Sequence, residues 1–292
     1  MPISASTMAT KGEFTCDPYN FKVTNEMLKA YDELGYFLIR GFFSKEELAK
    51  LKKSVEHDRY FDHSFGLSDG EGRKSTTVLW KHPGNDVTGI ISRSEKVAGT
   101  CEKILGGEVY HYHSKLMTKA ARTGGKHIWH QDYGYWYKNG CLFPDMVSVF
   151  LPIDKCFQLN GCLEILEGSH KCGRIEHGIR AGQTGADLER VEAIKKVCPH
   201  KYVEMEAGDA LFFHCNLLHT SGNNDSDSKR WVFIPCYNKK TNNPTFEHHH
   251  PRYTPLEKVP DSAIAQCENY DDLSGKVFND PDEDTTTNHK AA

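Results

Sequence analysis

Apolar residues recur at helical spacing from Thr24 onward. Met27, Leu28, Tyr31 and Leu34 lie three or four apart, and Gly35 closes the run, so a helix stopping at Gly35 is expected. The stretch "YFLIRGFF" follows directly and predicts a strand broken at Gly41. Ser44 and Glu47 then stand three apart ahead of Leu48 and Leu51, the signature of a capping box opening a second helix. Residues 58–100 are polar and glycine-bearing and predict long loops with at most short helices. From about residue 107 the texture changes. "EVYHYHSKLMTKA", "DMVSVFLPID", "GCLEILEG", "KYVEMEAGDALFFH" and "RWVFIPCYN" are short runs rich in Val, Ile, Phe and Tyr between turn residues, hence strands.

Helices first, then many strands without β–α alternation, predict a mainly β domain with flanking helices, its core an antiparallel sandwich or barrel. The expected boundaries are a loosely ordered lead over 1–23, a single domain over 24–278 with its strand core at about 107–238, and a disordered acidic tail over 279–292. A partly helical insert at 174–200 interrupts the strands without an assigned role.

Composition narrows the partners. With 292 residues, 38% hydrophobic and 26% charged, the chain can bury a substantial core. A net charge of −4 gives no electrostatic reason to expect nucleic acid or an acidic membrane. No apolar run is long enough to span a bilayer, and the first residues lack the apolar core of a secretory signal. A cytoplasmic monomer or homodimer acting on a small molecule is expected. The ten cysteines form no C-x-x-C pair and read as free, mostly buried thiols.

The chemistry gathers around "KHIWHQDYGYWY". His130-x-Asp132 is the one H-x-D or H-x-E in a chain with 16 histidines. Such a pair alone is weak evidence, but residues two apart on a strand share a face and can converge on one ion. His219, in "FFHCNLLHTSGNN", supplies a third ligand. Two histidines and one carboxylate make the facial triad of non-haem Fe(II) oxygenases, with three coordination positions left open. Arg230, eleven residues further at the start of the next strand, offers a bidentate fork for a carboxylate, and Ser221 offers a hydroxyl to the same group. A dicarboxylate co-substrate follows, and 2-oxoglutarate fits.

Strand alternation sends Tyr133 and Tyr135 away from the metal and brings Trp136 to it as a pocket wall. His111, His113 and His127 read as pocket or strand histidines rather than a second metal set. His248, His249 and His250 read as a solvated or locally hydrogen-bonded cluster outside the strand core.

With "LGYFLIRGFFSKEEL", "WHQDYGYW", "NGCLEILEGSHKCG", "AGDALFFHCNLLHTSGNN" and "KRWVFIPCYN" in this order, the sequence from about Leu28 to Asn238 resembles the phytanoyl-CoA dioxygenase family. Within it, the sequence resembles the ectoine hydroxylase and L-proline trans-4-hydroxylase branch. The resemblance implies a double-stranded β-helix, a jelly-roll of cupin type. It matches His130, Asp132 and His219 to the iron ligands, Arg230 and Ser221 to the clamp on the distal carboxylate of 2-oxoglutarate, and Lys115 to a position near the co-substrate. His113 stands where the hydroxylases carry glutamine, at a position facing substrate. Glu167 replaces a turn proline, with a local effect expected. The implied reaction depends on Fe(II), consumes O₂ and 2-oxoglutarate, releases succinate and CO₂, and hydroxylates an unactivated C–H bond of a small amino acid or similar compound. An acyl-CoA substrate, or cyclisation or desaturation in place of hydroxylation, stands as the alternative. A non-enzymatic metal-binding protein is disfavoured by the intact triad with Arg230.

Overall fold

In a computed structural model, residues 10–180 and 182–280 are described. The large sheet runs in the order Glu13–Thr15, Tyr36–Arg40, Ala210–His214, Met146–Pro152, Arg230–Lys239, Val109–Lys119, Lys74–Lys81 and Val277–Phe278, with Phe65–Ser68 paired to Lys74–Lys81. A smaller sheet runs His200–Val203, Leu163–Leu166, His219–Ser221, His127–His130. Apart from the parallel pairing of Glu13–Thr15 with Leu38–Arg40, the partners in both sheets are antiparallel.

Period-two alternation sorts the large sheet's residues into two cores. Phe37, Ile39, Val147, Val149, Leu151 and Phe212 pack outward against helix residues Met27, Ala30, Leu51, Val55 and Ile91. Their neighbours Tyr36, Leu38, Met146, Phe150, Leu211 and Phe213 pack inward with Leu163 and Ile165 of the small sheet. This is the two-sheet jelly-roll with helices on one outer face. A cavity opens between the sheets.

The helix Asn25–Leu34 is capped by Thr24 and ends at Gly35, whose φ of 86° is the left-handed conformation that glycine adopts without penalty. The capping box of the helix Lys45–Val55 is also present: Ser44 Oγ accepts from Glu47 N at 3.2 Å, and Glu47 Oε2 accepts from Ser44 N at 2.8 Å.

The loops expected over 58–100 give way to two strands and the helix Val87–Arg93. Lys74, Ser75, Thr76 and Thr77 read as polar, yet Ser75 and Thr77 are buried, and β-branched threonine suits a pleated surface. "KYVEMEAGDALFFH" is two strands in different sheets, divided at Gly208 with φ 89°. The beginning and end of the expected flanking segments, residues 1–9 and 281–292, lie outside the described residues. No helix among the described residues is long and apolar enough to cross a membrane.

Candidate active site

His130 is the last residue of the strand His127–His130, and Asp132 is the first of a short helix, Asp132–Trp136. The shared strand face expected for this pair is therefore replaced by a strand-to-helix corner. Gln131 holds that corner. Its buried side chain donates to Gly173 O at 2.8 Å and Asn216 O at 2.7 Å and accepts from Ile175 N at 2.7 Å, while its backbone N donates to His177 Nε2 at 2.9 Å. Through Asn216, the corner is bonded to the loop that delivers His219 at the start of the strand His219–Ser221. His219 and His130 are cross-strand partners.

The ligand atoms of His130, Asp132 and His219 lie within 4.8 Å of one another, the one such His/Cys/Asp/Glu group among the described residues. Each imidazole is oriented by its own backbone: His130 Nδ1 lies 2.8 Å from Ile128 O, and His219 Nδ1 lies 2.9 Å from Leu217 O. Donation there leaves Nε2 of each ring with a free lone pair, the tautomer a metal requires. Burial, reinforced for His130 by the neighbouring His219 and His127, holds both pKa values below the ordinary imidazole range and keeps the rings neutral. Burial acts the opposite way on Asp132 and is the largest single influence, but the Lys115 ammonium, 3.5 Å from Oδ1, together with His219, the Ser148 hydrogen bond and His127 holds the carboxyl below its usual range. Ser148 Oγ donates to Asp132 Oδ2 at 2.6 Å. All three groups thus stand in metal-binding protonation states.

At another part of the same cavity lies Arg230, 2% exposed. Its Nε has no hydrogen-bond partner, and no ion pair reaches the guanidinium among the described residues. A buried cation without a counter-charge is costly unless a ligand supplies one. Ser221 lines the cavity beside it. Sequence reading passed over Lys119, the cross-strand partner of Arg230. Its buried Nζ donates to Ser221 Oγ at 2.8 Å and to the Gly222 carbonyl. Because Ser221 Oγ accepts from Lys119, its own hydroxyl proton is left to donate into the cavity.

Of the other residues singled out, Trp136 is buried and in the wall, and so is His113, whose ring nitrogens have no hydrogen-bond partner. Lys115 also lies in the wall, its Nζ 3.5 Å from Asp132 Oδ1. Tyr135, expected to face away, also lines the cavity and donates its hydroxyl to Thr184 O at 3.0 Å, because a helix turns about 100° per residue instead of alternating. Tyr133 does point elsewhere, donating to Cys141 O at 3.0 Å. His127 packs beside His130, with 3.1 Å between their Nδ1 atoms, and reaches the cavity. The cluster His248–His250 is not wholly solvated: His250 is buried, lines the cavity and lies 4.9 Å from His113 between ring centroids. The insert forms a hairpin, His177–Arg180 with Gln183–Ala186, that supplies His177 to the His130–Asp132 corner and Gln183 and Thr184 to the wall.

A model of the phytanoyl-CoA dioxygenase family matches residues 31–232. The chain belongs to this family. The L-proline trans-4-hydroxylase of Streptomyces griseoviridis is 31% identical over 182 residues, 56% of this chain and 67% of that protein. The ectoine dioxygenase of Stutzerimonas stutzeri is 24% identical over 245 residues, covering 78% of this chain and 81% of its own. Among solved structures, EctD from S. alaskensis with 2-oxoglutarate and 5-hydroxyectoine matches with a TM-score of 0.67 at 20% identity, over 86% of this chain and 94% of that one. The last likeness carries the jelly-roll fold. Family membership together with the His-Asp-His group makes the protein an iron- and 2-oxoglutarate-dependent dioxygenase.

Proposed function

We propose that His130, Asp132 and His219 hold Fe(II), and that Arg230 and Ser221 bind the distal carboxylate of 2-oxoglutarate. The enzyme then hydroxylates a C–H bond of a small amino acid or amino-acid-like substrate seated against Trp136 and His113. The observation that carries this reading is Arg230, a buried cation without a counter-charge in the same cavity as three converging metal ligands.

Iron held by His130, Asp132 and His219 would supply O₂ activation coupled to oxidative decarboxylation of 2-oxoglutarate. The chain's own residues supply geometry. Arg230 and the Ser221 hydroxyl fix the remote end of the co-substrate and so direct its 2-oxo acid end toward the triad. Lys115 and Ser148 keep Asp132 ionised and fix its rotamer. Trp136, Tyr135 and Phe213 line the cavity and limit water at the reacting carbon. The amino-acid class follows from the proline and ectoine enzymes among the relatives.

The test is an aerobic assay with Fe(II) and 2-oxoglutarate against free amino acids and acyl-CoAs, following succinate release and a mass gain of one oxygen. His219→Ala should abolish substrate-dependent succinate release and lower the Fe(II) content after dialysis. Unchanged turnover in that variant sinks the triad assignment.

A further inference from the structure

Apart from the His113 ring, the cavity wall holds a buried polar atom that neither the proposed metal site nor the proposed co-substrate clamp uses. Asn139 is 1% exposed and lines the cavity, and its Oδ1 has no hydrogen-bond partner. Its amide is not free to turn. Nδ2 donates to the buried Tyr112 Oη at 2.9 Å. With its nitrogen end held by Tyr112, the amide leaves its carbonyl oxygen as the acceptor.

Asn139 is tied to the metal through one short element. Asp132, Trp136 and Asn139 are spaced i, i+4 and i+7, so they share one face. Beyond Trp136 the coil continues as tight turns: Lys138 N donates to Tyr135 O at 2.9 Å and Asn139 N to Trp136 O at 3.1 Å. At 1.5 to 2.0 Å of rise per residue, Asn139 sits roughly 10 to 14 Å along the axis from Asp132. That separation leaves space for a ligand of a few heavy atoms. The charged side chains in the cavity wall, apart from its histidines, are Lys115, Asp132 and Arg230. Lys115 is paired with Asp132, and Arg230 lies beside Ser221. Near Asn139 the wall offers instead the Trp136 ring and the His113 imidazole, whose centroids lie 5.6 Å apart. A carbonyl oxygen, an indole face and a neutral imidazole lone pair together suit a hydrogen-bearing cation and leave a carboxylate unmatched.

We propose that Asn139 orients the substrate by accepting, through Oδ1, a hydrogen bond from a protonated primary or secondary amine held against Trp136 and His113. The inference rests on the oxygenase reading above and adds a specificity-determining residue and the substrate group it selects.

The test uses matched pairs in which N–H is replaced by ether oxygen: L-proline with tetrahydrofuran-2-carboxylate, and L-pipecolate with tetrahydropyran-2-carboxylate. Substrate-dependent succinate release gives kcat/KM for each member on the Fe(II)- and 2-oxoglutarate-loaded enzyme. The wild type should prefer the amine by tenfold or more. Asn139→Leu, of similar volume, should shrink that ratio at least tenfold, chiefly through KM of the amine, while Asn139→Asp should keep or widen it. A variant that merely packs poorly would slow both members alike and leave the ratio standing. An unchanged ratio in Asn139→Leu, or a wild type indifferent to the N–H, overturns the proposal. Turnover of nitrogen-free acids alone does the same and leaves the oxygenase reading in place. Absence of any succinate formation with Fe(II) and 2-oxoglutarate overturns that reading, and the proposal with it.

Discussion

Gly134 sits two residues past Asp132, and a Cβ built there would lie 2.3 Å from the His177 ring. The ring has no room to yield, since Nδ1 bonds Ile175 O at 2.8 Å and Nε2 accepts from Gln131 N at 2.9 Å. Gly134→Ala must therefore displace the helix that begins at Asp132, at an overpacking cost of about 1–3 kcal/mol. Weaker Fe(II) retention on dialysis is expected along with a lower Tm, whereas a variant that binds iron like the wild type would show that the corner yields elsewhere. At the proposed clamp, Arg230→Met removes both the charge and the fork. Charge-assisted hydrogen bonds contribute about 1.5–3 kcal/mol each, so KM for 2-oxoglutarate should rise about a hundredfold with a smaller change in kcat. Lys119→Met removes only the group that positions Ser221 Oγ, and a rise of about three- to tenfold is expected in the same initial-rate measurement.

The elements differ in how far the sequence discloses them. Helices with periodic apolar faces and caps, such as Asn25–Leu34 and Lys45–Val55, are legible because local signals and burial agree. The strand Lys74–Lys81 is not, because its first half is polar by composition and is buried only through pairing with Val109–Lys119. The His130–Asp132 corner is half legible. The residue types and their distance from His219 identify a candidate metal set, but the break between strand and helix depends on Gln131 bonding to segments far along the chain. His177, from the insert, was hidden for the same reason. Its pKa is lowered to about 4, burial outweighing the stabilising bond to the Ile175 carbonyl. The unfolded chain takes up a proton near pH 6.5 that the folded ring refuses until about pH 4. Stability from this group is thus complete above about pH 6.5 and falls through the window below it, by about 1.4 kcal/mol per pH unit. Protonation at Nε2 also breaks the bond from Gln131 N. Urea unfolding at pH 7.5, 6 and 5 should show a shallower loss for His177→Gln than for the wild type, and parallel slopes would exclude this histidine as a source of acid sensitivity.

Across the whole molecule, the chain after the family match closes the fold by a return to its early half. Val277–Phe278 extends the large sheet beside Lys81 and Trp80, Asn269 O accepts from Val87 N at 2.9 Å, and Lys50 pairs with Glu268 at 2.6 Å. The anchor is Lys276, whose Nζ lies 2.7 Å from Asp86 Oδ1 with both side chains fully buried. Asp86 also caps the helix Val87–Arg93 through Gly89 N at 3.0 Å and accepts from Thr88 Oγ1 at 3.0 Å. The anchor bears on the cavity because the strand it flanks, Lys74–Lys81, presents Thr77 and Leu79 to the wall. Removing one member of a buried pair leaves the other charge uncompensated, which costs about 3–5 kcal/mol. Lys276→Met should therefore lower Tm by several degrees. Adding Asp86→Asn keeps the helix cap, because the amide oxygen still accepts from Gly89 N, and removes the stranded charge. The double variant should consequently be more stable than Lys276→Met alone, a non-additivity that thermal unfolding of the four members of the cycle reads directly. Strict additivity would mean that Lys276 acts through packing alone, and that the ion pair does not tie the closing strand to the cavity wall.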